Sequence, residues 1–192
     1  IEELVDVDEL VTYWALEALV AHWDGYAYDV TAPDRVPPPV RPPGTSWPNN
    51  FYAYDDPGTG RFVFLPHGAD LTLGLGPGPD SGVAPSTPVL VEPKRRSTIA
   101  ARLWDDPAFR DELRDRLQWV LDEIWAVDAL TQRADMFADL VRSDGLTGER
   151  EVASMAGFED ALAARKAFVS GRGQAVRAEL ASWTPADPTS EG

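Results

Sequence analysis

An α+β fold, mainly helical and carrying one small β-hairpin, is what three features of the 192-residue chain predict. Residues 8–23 repeat apolar side chains at three- and four-residue spacing. Residues 107–127 do the same behind an acidic residue and a proline that together signal a helix start. Between them, residues 51–65 alternate as strand, tight turn and strand.

The first helix buries Leu10, Val11, Trp14, Ala18, Leu19 and Val20 on one face. Asp8 is its expected N-cap, with Glu9 in the first turn. Asp24-Gly25 is a turn signal, so the helix is expected to end near Trp23 and to project Asp24 from a rigid support. Seven prolines then crowd into residues 33–48, which favours a polyproline-II surface insertion over sheet or helix. A recruited polyproline ligand is the alternative.

The hairpin follows. Phe51–Tyr54 is aromatic-rich, DDPGTG (55–60) is turn chemistry, and Arg61–Leu65 is β-prone. Asn50 precedes the first strand and Asp70 follows the second, so an antiparallel hairpin sets an amide and a carboxylate at one end. Hard oxygen ligands so placed suit a metal ion. Residues 75–93 read as an irregular loop. Gly74, Gly76 and Gly78 are not a dinucleotide fingerprint, because position 79 is proline and no helix follows.

A short helix is expected over 98–104. The next starts at Asp105-Asp106-Pro107 and runs to about Val127, burying Phe109, Leu113, Leu117, Val120, Leu121, Ile124 and Trp125. Further helices are expected over 131–141 and 157–180, the latter kinked or broken at Gly171–Gly173. Residues 1–182 make one unit, and 183–192 read as a disordered tail. Trp14, Trp23, Trp119 and Trp125 are assigned to the core, and His22 to a structural role. His67 is expected to pack with one nitrogen hydrogen-bonded.

Composition narrows function. Against 17 basic residues stand 32 acidic ones, a formal charge of −15, which argues against nucleic acid or an anionic membrane as partner. The absence of cysteine excludes disulfides, thiolate metal sites and cysteine nucleophiles. No apolar run approaches the roughly 18 residues of a membrane span.

The order helix, Asp24, Asn50, strand–turn–strand, Asp70 is similar to that of phosphotransfer groups in protein kinases. The local words HWDGYAYD, NNFYAYDDPGTG and FLPHGADLTLG resemble the CotH kinase family of atypical, secreted or coat-associated protein kinases. Pro107, Phe109 and Arg110 at a helix start, and Phe168, Val169 and Arg172 in a late helix, extend the resemblance to residues 10–182. It implies the helical C-terminal lobe of a kinase-like fold, with ATP and Mg²⁺ or Mn²⁺ as cofactors and protein Ser/Thr hydroxyls as acceptors. Asp24 then corresponds to the catalytic base, and Asn50 and Asp70 to the metal- and nucleotide-binding residues. The setting it implies is extracellular or cell-envelope.

Two departures stand out. Where many members carry an acid, this chain has Gly68. No glycine-rich phosphate loop or nucleotide-binding lysine precedes the first helix, and Lys94 and Lys166 come too late. The chain opens at Ile1, already in a helix, so a nucleotide-binding lobe is expected upstream. A catalytically degenerate binding or structural module is the alternative.

Overall fold

A computed structural model describes residues 1–30, 47–76, 82–94, 96–143 and 155–184. The proline-rich stretch up to Ser46, residues 144–154 and the tail from Pro185 lie outside the described residues. Among those described, five helices and one two-stranded antiparallel hairpin make an α+β fold: α1 (Val7–Val20), β1 (Phe51–Asp56), β2 (Arg61–Pro66), α2 (Thr98–Trp104), α3 (Pro107–Glu123), α4 (Val127–Ser143) and α5 (Met155–Ser182).

Helix α1 is the centre of the core. Leu10, Val11, Trp14, Ala15, Ala18 and Leu19 are fully buried beneath α3, α5 and the hairpin. The Trp14 ring lies 5.9 Å from that of Trp104 and 5.6 Å from that of Phe109, joining α1 to α2 and α3. Each such side chain, once buried, contributes about 1.5–3 kcal/mol.

Both ends of α1 differ from expectation. Asp6, not Asp8, is the N-cap: its backbone is extended and its carboxylate accepts the Glu9 N–H at 3.1 Å. Asp8 already lies inside the helix and cannot adopt that geometry. At the other end the helix stops three residues short of Trp23, because Ala21 turns left-handed at φ 56°. The His22 N–H then bonds back to the Glu17 carbonyl at 2.8 Å, a Schellman-type closure. Left-handed backbone costs alanine roughly 1–2 kcal/mol. Arg172 of α5 helps to hold the closure. Wholly buried, it donates to the Ala18 carbonyl at 2.6 Å and the Leu19 carbonyl at 3.2 Å, and to the carbonyls of Pro85 and Thr87. A cation at a helix C-terminus also opposes the negative end of its dipole.

Pairing in the hairpin runs from Phe51 opposite Pro66 to Asp56 opposite Arg61. Its inner face, with Phe51 and Phe64, turns to the core, while Tyr52, Tyr54 and Leu65 are exposed. Glu9 of α1 accepts the Phe64 N–H at 3.0 Å, tying helix to strand.

Helix α3 starts as expected, with Asp106 capping and Pro107 in the first turn. Phe109, Leu113, Leu117, Val120 and Leu121 form its buried stripe, but it ends at Glu123, so Ile124 is exposed. Trp119 corrects the assignment of all four tryptophans to the core. It is 47 % exposed, lying on the wet face beside Arg116. Helix α4 is longer than expected at both ends.

Helix α5 runs unbroken through Gly171 and Gly173, correcting the expected break. These glycines serve close approach instead. A Cβ on Gly171 would sit 3.2 Å from Pro85, and one on Gly173 would sit 3.1 Å from the Trp125 indole. Trp183, expected in the tail, is placed by its indole N–H donating to Asp111 at 2.9 Å.

Candidate active site

Asp24 lies not at the helix tip but four residues past the end of α1, in a half-buried turn. What holds that turn is Glu17. Only 3 % exposed, its carboxylate accepts the N–H groups of Tyr26 at 2.5 Å, Ala27 at 2.8 Å and Tyr28 at 3.3 Å. A carboxylate satisfied by several backbone donors makes strong, charge-assisted bonds. It fixes the path of the chain immediately after Asp24. His22 packs on the same carboxylate, with Nδ1 3.9 Å from Oε1, which agrees with a structural role.

The opposite side of the turn is held from the α2 region. The fully buried Lys94 donates through Nζ to the Gly25 carbonyl at 2.7 Å, and its own N–H bonds the Ala27 carbonyl at 3.0 Å. Ser97 donates its hydroxyl to the Tyr26 carbonyl at 2.5 Å. Gly25 has no room for a side chain: a Cβ there would lie 2.1 Å from Glu17 Oε1. That contact is the physical reason for glycine after Asp24.

Asn50 meets Asp24 directly. Its Nδ2 donates to Asp24 Oδ2 at 2.7 Å although 26 residues separate them, and Asn49 Nδ2 approaches Oδ1 at 3.3 Å. Asn50 has φ 48°, a left-handed conformation that asparagine tolerates better than most residues. Aromatic packing fixes the relation. The Tyr26 ring lies 4.8 Å from Phe51 and 4.6 Å from Phe64, so the residues flanking Asp24 and Asn50 share one cluster.

The turn after β2 returns to the same end of the hairpin. The His67 N–H bonds the Asn50 carbonyl at 3.1 Å, and the Leu73 N–H bonds the Val20 carbonyl at 2.7 Å, pinning residues 67–73 between β1 and the end of α1. Asp70 sits exposed in that turn, and among the described residues no hydrogen bond joins it to Asp24 or Asn50. Nor, among them, does any group of three His, Asp or Glu side chains stand ready to hold a metal ion. His67 is exposed, with its ring 4.8 Å from Tyr52.

Gly68 is shaped by Asn50. It has φ 54°, and a Cβ there would lie 2.6 Å from Asn50 Oδ1. An acid at this position cannot coexist with the observed Asn50 side chain.

The family model for CotH kinase protein matches residues 1–176, nearly the whole chain. The chain belongs to the CotH kinase family. A search of curated proteins found no match.

Glu17 left one trace in the sequence. It is a lone acid on the apolar stripe of α1, in register with Leu10, Trp14 and Ala21. Lys94 and Ser97 left none, being remote in sequence from the turn they hold.

Proposed function

We propose that this chain carries the phosphotransfer groups of an ATP-dependent protein kinase with a kinase-like C-terminal lobe, acting on protein Ser/Thr hydroxyls. The observation that supports this most is the hydrogen bond between Asn50 and Asp24 within a turn clamped on both sides. A base needs such fixed support.

In this reading the Asp24 carboxylate accepts the proton of the attacking hydroxyl as its oxygen bonds to the γ-phosphorus. The bond to the β,γ-bridging oxygen breaks, and ADP leaves. The Asn50 amide N–H holds Asp24 in orientation, which leaves Oδ1 facing the 67–70 turn. Asn50 Oδ1 and the Asp70 carboxylate are hard oxygen donors, few in number. That suits Mg²⁺, which is commonly bound by one or two protein ligands together with phosphate oxygens and water. When bound, Mg²⁺ supplies charge neutralisation at the phosphates. In this reading the setting is extracellular or cell-envelope.

In the full-length protein, Asp24→Asn is expected to abolish substrate phosphorylation, and Asp70→Ala to remove metal-dependent nucleotide binding. Wild-type labelling by both variants sinks the assignment. Asp70, exposed and among the described residues bonded to neither Asp24 nor Asn50, favours a second reading, a degenerate module without catalysis. Calorimetric titration of Mg-ATP separates the two, since a purely structural module gives no binding heat.

A further inference from the structure

We propose that Lys94 is a positioning residue for Asp24: its buried side chain holds the carbonyl of the next residue, Gly25, and so fixes the turn that carries the catalytic carboxylate. The proposal rests on the reading of Asp24 as the base. Lys94 is 0 % exposed, and its ammonium donates to the Gly25 carbonyl at 2.7 Å. The Asn49 N–H reaches the same carbonyl at 3.0 Å, so one oxygen gathers the donors on either side of Asp24. The backbone of Lys94 is itself fixed. Its N–H bonds the Ala27 carbonyl at 3.0 Å, and its carbonyl accepts the N–H of Ser97, the N-cap of α2, at 2.9 Å.

A buried ammonium is costly to keep where an apolar side chain would pack. What it adds is a charge-assisted bond to the residue after Asp24, opposite the Glu17 carboxylate. The charged groups facing it are Glu17 from α1 and Asp24 and Asp29 from the turn. Burial lowers the Lys94 ammonium from its ordinary 10.5 to about 8, while those three carboxylates oppose the drop. Above that pH the tie to Gly25 loses its charge and weakens. A small displacement of a reacting group costs on the order of 10²-fold in rate.

The test uses the full-length protein, with kcat and the KM for ATP measured from pH 6.5 to 9.5 for wild type, Lys94→Met, Lys94→Gln and Asp24→Asn. Wild-type kcat is expected to fall with a midpoint near pH 8 while KM for ATP holds steady. Lys94→Met and Lys94→Gln should lower kcat about 10- to 100-fold, leave KM for ATP within about twofold, and abolish the midpoint. A merely structural lysine would not split kcat from KM or remove a titration. If Asp24→Asn is inactive but both Lys94 variants match wild type, the proposal falls and the kinase reading stands. If Asp24→Asn is fully active, both fall. Should neither Lys94 variant fold, the wild-type profile decides, and a kcat flat across pH 8 overturns the proposal.

Discussion

Gly25→Ala tests whether the Glu17 clamp holds the turn that carries Asp24. A Cβ at position 25 lies 2.1 Å from Glu17 Oε1, 2.7 Å from its Cδ and 2.8 Å from His22 Nδ1. Gly25 is not among the positive-φ residues, so alanine meets no backbone penalty and the contact alone is tested. Nor can the neighbours yield cheaply. Glu17 is held by the N–H groups of Tyr26, Ala27 and Tyr28, and His22 is 3 % exposed. Relieving the overlap moves the carboxylate by more than an ångström and breaks most of its bonds. Overpacking costs about 1–3 kcal/mol, and losing hydrogen bonds to a buried charge adds about 1.5–3 kcal/mol. The expected loss is about 3–5 kcal/mol, or roughly 10 °C in Tm for a chain of this size. Urea denaturation reads the first figure and a thermal scan the second, with amide exchange reporting lost protection at residues 26–28. A variant within about 0.5 kcal/mol of wild type, with those amides still protected, refutes the clamp.

Arg172→Met keeps most of the side-chain volume but removes the Arg172 bonds to the carbonyls of Ala18, Leu19, Pro85 and Thr87. Denaturation should show a loss of about 3–5 kcal/mol, and a loss under 1 kcal/mol would mean the closure of α1 stands without it. Lys94 should also make stability rise with pH. Its folded value is about 8 against 10.5 for the free group, so from pH 8 upward the unfolded chain binds the extra proton and folding gains. The full effect, reached near pH 10.5, is about 3 kcal/mol. Burial raises the phenols of Tyr13 and Tyr26, which oppose this trend above pH 10. The difference between wild type and Lys94→Met therefore isolates the lysine, and a difference constant from pH 7.5 to 10 refutes the assignment.

Elements whose stability comes from local signals were legible before the structure. The α3 start needs only Asp106 and Pro107, and the hairpin only its aromatic strands and DDPGTG turn. Boundaries set by distant partners were not. Helix α1 was expected to reach Trp23, yet Ala21 turns left-handed under carbonyls capped by Arg172, 153 and 154 residues away in the bonds to Leu19 and Ala18. Gly171 and Gly173 looked like breaks because propensity counts only the helix's own backbone. In the fold they let Pro85 and Trp125 approach. Trp119 looked buried by residue type, but its position on α3 faces solvent.

By itself the sequence determined the α+β class, the hairpin, the family words and the candidates Asp24, Asn50 and Asp70. Spacing, size and turn chemistry are local properties and survive in a one-dimensional string. The tertiary structure decided that Asp24 and Asn50 touch across 26 residues, while Asp70 stands on a neighbouring turn. It also showed that a Cβ at Gly68 would meet the Asn50 side-chain amide as it stands. The clamp of Glu17, Lys94 and Ser97 appeared only there, because a buried loop must satisfy its backbone groups with whatever partners the packing brings near.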